Sequence, residues 1–87
     1  MSLFESMSFD QRKAQALLDV YKAYANIHPQ DSMAPEYLFR AANVAKSMHE
    51  GEQGLALYDR IIKDYPGWTR LPDVYYLKAF TIDSELD

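Results

Sequence analysis

The sequence predicts an all-α protein of about four antiparallel helices, and three observations favour this fold class. A shift of 37 residues places similar residues opposite one another along the chain. Apolar residues recur three and four positions apart, the spacing that gathers them on one face of a helix. Prolines and short polar turns separate these segments, and no stretch alternates apolar and polar residues as a half-buried strand would. Helix-turn-helix units are therefore expected.

The internal repeat also predicts how the chain is organised. The shift matches Tyr21 with Tyr58, Pro29 with Pro66, Pro35 with Pro72, Glu36 with Asp73, Phe39 with Tyr76 and Ala42 with Ala79. Self-similarity at a period of roughly 20 to 50 residues is typical of stacked helical repeats. We expect a single domain over 1–87, with a half repeat at 8–29, a whole repeat at 34–66 and a half repeat at 71–87.

Capping and punctuation residues predict the helix boundaries. Helix one is expected to follow a capping box that starts at Ser8 and to run to about Ile27. Helix two is expected over about 35–48, helix three over about 52–65, and helix four from residue 72 to about 82 or beyond. Between helices two and three, Gly51 is expected to take the left-handed conformation that closes many helices.

The apolar spacing predicts the buried face of each helix. On helix one these residues are Ala14, Leu17, Leu18, Tyr21, Tyr24 and Ala25. On helix two they are Leu38, Ala41, Ala42, Ala45 and Met48, and on helix three Leu55, Tyr58, Ile61, Ile62 and Tyr65. The small alanines of helix two would let a neighbouring helix approach closely.

Composition and charge exclude several classes of function. The net charge is -4, and the nine Lys and Arg residues are scattered, so the concentrated basic face that grips nucleic acid is missing. No apolar run approaches the roughly 20 residues of a membrane-spanning helix, so we expect no membrane insertion by this chain. The absence of cysteine excludes disulfides and thiolate chemistry but is compatible with either cytoplasm or periplasm.

The region around the whole repeat resembles the tetratricopeptide repeat family. The residues that carry the resemblance are Leu38, Ala41, Ala42, Ala45, Gly54, Tyr58, Ile61 and Pro66. The chain departs from the family pattern at Ala41, Ala45 and Ile61, where leucine, tyrosine and alanine are usual. The segments 34–42 and 57–66 are similar to repeats of bacterial cell-envelope proteins, of the Tol-Pal-associated periplasmic and outer-membrane assembly lipoprotein types. The resemblance implies a periplasmic or cell-envelope location, with the cytoplasm left open.

The resemblance also implies a binding groove. In such arrays the first helix of each unit faces a concave surface that holds a peptide or a partner helix. The partner-binding residues implied here are Phe39, Arg40, Asn43, Lys46, Asp73, Tyr76 and Phe80, flanked by Glu36 and Asp83. The family's clamp for a peptide carboxylate needs a lysine at the place of Phe39, so an acidic C-terminus is not the expected ligand.

Three classes of function are considered for a chain of this kind. The favoured one is a non-catalytic scaffold that binds a protein or peptide; the second is self-association, in which helix four and helix one dock on another copy to form a homodimer. A small enzyme is the third function, and the pattern of histidine, serine and threonine residues disfavours it. Neither His28 nor His49 has a second ligand in the histidine-to-histidine pattern of a zinc-binding helix, and no serine or threonine has a histidine beside it. We therefore expect no catalytic residue, metal or cofactor.

Overall fold

The predicted all-α fold is confirmed. The computed structural model describes residues 11–86, and the surroundings of side chains from residue 12 to residue 82. Its helices are α1 (Gln11–Ile27), α2 (Ala34–Ser47), α3 (Gly51–Asp64) and α4 (Leu71–Leu86). Each packs on the next one in sequence, and the short connections make neighbours antiparallel. The described part of the chain is thus a row of helices in sequence order.

The helix boundaries lie close to those predicted. Helices α2 and α3 each begin and end one residue before the expected positions. Pro35 and Glu52, which were expected to be the first residues, occupy the second position of their helices. Helix α4 begins at Leu71 and continues past Ile82 to Leu86. The expected capping box lies outside the described residues at Ser8.

The turn between α2 and α3 corrects the prediction for Gly51. The residue with left-handed backbone is His49, with φ of 62°, and Gly51 is the first residue of α3. The N–H of Glu50 donates to the carbonyl of Ala45 at 2.9 Å, and the N–H of His49 donates to that of Lys46 at 3.0 Å. These two bonds form a Schellman motif, which assigns the left-handed conformation by position and not by residue type.

Small residues bring α2 and α3 into close contact. Ala41, Ala42 and Ala45 have no exposed surface, and Gly54 of α3 is buried against them. A Cβ atom at Gly54 would lie 3.2 Å from the carbonyl oxygen of Ala42 and 3.1 Å from Cγ of Lys46. A Cβ atom at this position would therefore crowd the backbone of α2, and its neighbours would have to shift by a few tenths of an ångström.

The core extends from α1 to α4 through these two helices. Its largest fully buried side chains are Tyr58, Leu18, Leu38, Ile61 and Val74. All five residues that were predicted to form the buried face of α2 are buried, which confirms that prediction.

Leu17 corrects the predicted core of α1. Its side chain is 43% exposed, whereas Ala14, Leu18 and Ala25 are buried as expected. Leu17 shares a face of α1 with Tyr21 and Tyr24, whose rings contact Tyr37 of α2, but it lies nearer the start of α1, where its side chain stays partly exposed. Helical spacing alone gave it a place in the core because the apolar residues of α1 surround more than one face.

Side chains also connect alternate helices. Lys22 of α1 donates to Gln53 of α3 at 3.2 Å, and Arg60 of α3 donates to Asn26 of α1 at 2.6 Å. On the other side of the row, the ammonium group of Lys46 lies 5.7 Å from the centre of the Phe80 ring on α4. Helices α1 and α3 therefore share one side of the row, and α2 and α4 share the other.

Tyr58 carries a buried hydroxyl at the centre of the core. It donates to the Oδ1 atom of Asn43 at 2.7 Å. Burial raises the pKa of Tyr58 from 10.0 to about 12, because a phenolate in this apolar site would lose its hydration. The fold therefore requires the neutral phenol.

We expect His49→Gly to raise the free energy of unfolding by about 1 kcal/mol, because glycine adopts the left-handed conformation without the Cβ clash. His28→Gly is the control: φ of His28 is not positive, so glycine there should lower stability by loosening the unfolded chain. Urea denaturation followed by helicity measures both changes. A destabilised His49→Gly variant would show that the His49 side chain holds the turn.

The raised pKa of Tyr58 predicts a loss of stability at alkaline pH. Below pH 10 the phenol is neutral in both the folded and the unfolded chain, and between pH 10 and about 12 the unfolded chain releases its proton first. Stability should therefore fall over this range, and Tyr58→Phe should reduce the fall. Tyr76→Phe changes an exposed ring and serves as the control. Identical alkaline profiles for wild type and Tyr58→Phe would contradict this assignment.

Candidate binding surface on α2 and α4

One side of the molecule brings together residues of α2 and α4. We call the α2–α4 surface the region formed by Arg40, Lys46, Asp73, Tyr76 and Phe80. The helical spacing 73, 76 and 80 places the α4 residues on one side of that helix, where Phe80 meets Lys46 of α2. These are five of the seven side chains that the sequence implied for a groove.

Phe39, the sixth of those residues, is a core residue. Only 5% of its surface is exposed, and its ring packs 5.6 Å from that of Trp68 and 6.1 Å from that of Tyr58. The guanidinium group of Arg70 lies 4.7 Å from its ring centre. The connection between α3 and α4 therefore covers Phe39, which corrects its expected place on an open groove.

Asn43, the seventh, is half-buried and already bonded. Its side-chain oxygen accepts the hydroxyl proton of Tyr58. Because this bond satisfies the buried phenol, the first role of Asn43 is to stabilise the core. The resemblance implied that Asn43 would contact a partner, but the structure gives its side-chain oxygen an internal partner.

A chain of ion pairs includes Arg40 and Asp73 of the α2–α4 surface and links the first turns of α2 and α4. Glu36 accepts from Arg40 at 3.0 Å and from Arg70 at 3.3 Å, and Arg70 also pairs with Asp73 at 3.4 Å. The hydrogen bond to Glu36 holds the pKa of Arg40 above its ordinary value. Exposed ion pairs contribute at most about 1 kcal/mol each, so a partner could exchange them at low cost. The pairs fix the connection before α4 relative to α2.

Lys46 is held among aromatic rings. Its ammonium group lies 5.9 Å from the ring centre of Tyr58 and 5.7 Å from that of Phe80, distances that suit cation–π attraction. Its aliphatic stem packs over Gly54. None of the ion pairs among the described residues includes Lys46. A positive charge is therefore positioned beside an exposed aromatic ring.

Two aromatic side chains of the α2–α4 surface are exposed to solvent. Tyr76 is 71% exposed and Phe80 is 56% exposed. They are four residues apart, which places them one turn apart on the same side of the helix. Large exposed apolar groups that adjoin one another often mark interaction sites.

A second concavity lies between the α1–α2 and α3–α4 connections, and the sequence analysis did not name it. It is an open cleft of about 660 Å³ whose lining includes Pro29, Asp31, Arg60, Tyr65 and Trp68. The Tyr65 hydroxyl donates to the carbonyl of Pro29 at 2.9 Å, joining the two connections. The matched prolines 29 and 66 were the available signal, since equivalent turns of stacked repeats come together at one edge.

The carboxylate of Asp31 accepts hydrogen bonds from α1 and from its own loop. It accepts from the Tyr24 hydroxyl at 2.6 Å and from the Met33 N–H at 2.8 Å. The Tyr24 bond, followed by the backbone bond, lowers the pKa of Asp31. Asp31 therefore shapes the loop beside the cleft.

Among residues 11–86, no group of three or more His, Asp or Glu side chains could hold a metal ion. In the same part of the chain, every helix is too short or too polar to cross a membrane.

Comparisons of the chain with protein-family models, with curated proteins and with solved structures found no match in any of the three.

Proposed function

We propose that this chain is a non-catalytic protein-interaction module whose α2–α4 surface holds a peptide segment of a partner protein. The observation that carries the proposal is the exposure of Tyr76 and Phe80 beside the positioned charge of Lys46. Leaving two aromatic side chains in water gains nothing for the isolated domain, whereas aromatic residues supply much of the binding energy at interfaces.

The chemistry of the surface specifies the peptide. An apolar side chain of the peptide would pack between Tyr76 and Phe80, where both rings are accessible. A peptide carboxylate would approach Lys46, whose ammonium group takes part in none of the ion pairs between described residues. The proposed ligand is therefore an apolar anchor next to an internal Asp or Glu residue.

The resemblance to tetratricopeptide repeats supports the same function. The arrangement of α1 with α3 and of α2 with α4 on opposite sides suits a stacked repeat, with α2 and α4 as the first helices of their units. Within this proposal the chain is a repeat segment of a bacterial cell-envelope protein. The family assignment and the location are parts of the proposal.

A displayed library of random 12-residue peptides tests the function. We expect selection to enrich peptides with an apolar residue next to an acidic one. Phe80→Ser and Lys46→Ala should each weaken the selected peptides about tenfold, equivalent to about 1.4 kcal/mol, as measured by fluorescence anisotropy. Ala56→Ser, at an exposed position of α3, is the control and should leave binding unchanged.

Two results would contradict the proposed function. One is the absence of any enriched sequence class with folded protein. The other is a set of peptides whose affinity is the same for wild type, Phe80→Ser and Lys46→Ala, because such peptides bind elsewhere. Helicity of each variant must match that of wild type for either result to count.

A further inference from the structure

The outward side of α1 is an apolar stripe. We call the α1 outer face the set of exposed residues Ala16, Val20, Ala23 and Ile27. They recur at helical spacing and lie opposite the residues that pack on α2. Val20 is 63% exposed and Ile27 is 70% exposed. Such a stripe is the signature of a helix that packs on both sides.

The outward side of α4 is also apolar. We call the α4 outer face the set of exposed residues Pro72, Tyr75, Tyr76, Ala79 and Ile82. This face lies opposite Val74 and Thr81, the buried residues by which α4 docks on the core. The two end helices of the described row thus each present an apolar face.

The two outer faces differ in the size of their side chains. The α4 outer face carries the large rings of Tyr75 and Tyr76, whereas the α1 outer face has small residues at Ala16 and Ala23. Large side chains on one helix fit between small ones on another, and small residues permit close approach in the α2–α3 contact as well. Two copies of the α4 outer face would instead bring ring against ring.

The two faces are complementary in charge. The first described turn of α1 contains Arg12 and Lys13, and α4 ends with Asp83 and Glu85, with no Lys or Arg after Lys78 in the sequence. Antiparallel docking of α4 on α1 would place the acidic end of one beside the basic start of the other.

We propose that the α4 outer face docks, antiparallel, on the α1 outer face of a second copy of this chain. The contact continues the antiparallel packing between neighbouring helices within the chain. The contact is head-to-tail. Every added copy therefore leaves one α1 or α4 outer face unoccupied, and the assembly can grow. A single helix pair buries less than roughly 1,200 Å², which makes the association weak and reversible.

This association is separate from the proposed peptide binding. The α2–α4 surface and the α4 outer face share Tyr76, so the test avoids that residue. Ala23 and Ala79 lie on the outer faces and outside the α2–α4 surface. Peptide binding can therefore fail while association persists, and the reverse result is equally distinguishable.

Three Ala→Glu substitutions test the proposal with the same chemical change at exposed helix positions. Ala23→Glu blocks the α1 outer face, Ala79→Glu blocks the α4 outer face, and Ala56→Glu on α3 is the matched control. Sedimentation over about a hundredfold concentration range, up to about 1 mM, measures the mass. Wild type and Ala56→Glu should rise beyond twice 10.1 kDa, and each face variant alone should stay near 10.1 kDa.

The mixture of the two face variants gives the decisive result. An equimolar mixture should form a complex of twice 10.1 kDa and nothing larger, because one intact α4 outer face meets one intact α1 outer face. Association of Ala23→Glu by itself would overturn the proposal in favour of α4 on α4. A monomeric wild type, or a mixture that stays monomeric, would also overturn it.

A second pair of variants tests the proposal if a Glu variant fails to fold. If either Glu variant loses helicity, Val20→Ser and Tyr75→Ser replace it, since both side chains are more than half exposed. Each should weaken association at least tenfold with unchanged helicity. Association equal to that of wild type in both Ser variants would overturn the proposal.

Discussion

The constraint on which the rest of this structure depends is that the described helices form one row. Helices α2 and α3 each have a neighbour on both sides, whereas α1 and α4 each have a neighbour on one side. A helix that packs on one side needs one apolar stripe, yet α1 and α4 carry apolar residues on their outward sides too. The surfaces available for binding follow from these additional apolar residues on the outward sides of α1 and α4.

The contact between α2 and α3 positions the candidate site. Gly54 brings α3 close to Ala42, and the stem of Lys46 lies over Gly54. That position holds the ammonium group of Lys46 near Tyr58 on one side and Phe80 on the other. A core contact between small residues therefore determines where the charge of the α2–α4 surface lies. The site is built on two helices and not on a loop, which favours a fixed geometry.

Sequence reasoning succeeded where one local rule decides the outcome. The buried face of α2 followed from spacing, because its small and apolar residues recur three and four positions apart and neighbouring helices on both sides cover them. It failed where tertiary contacts decide: Trp68 and Arg70 of the α3–α4 connection cover Phe39, and Leu17 stays 43% exposed near the start of α1. The turn was misjudged because glycine was expected to take the left-handed position that the hydrogen-bond pattern gives to His49.

Amide hydrogen exchange at several protein concentrations tests the central claim most directly. The claim is that the outward faces of α1 and α4 are sites for a second copy. It predicts that exchange in α1 and α4 slows as the protein concentration rises, while exchange in α2 and α3 is slow throughout and does not change. Exchange that is independent of concentration in all described helices, with α1 and α4 protected as strongly as α2 and α3, would contradict the claim.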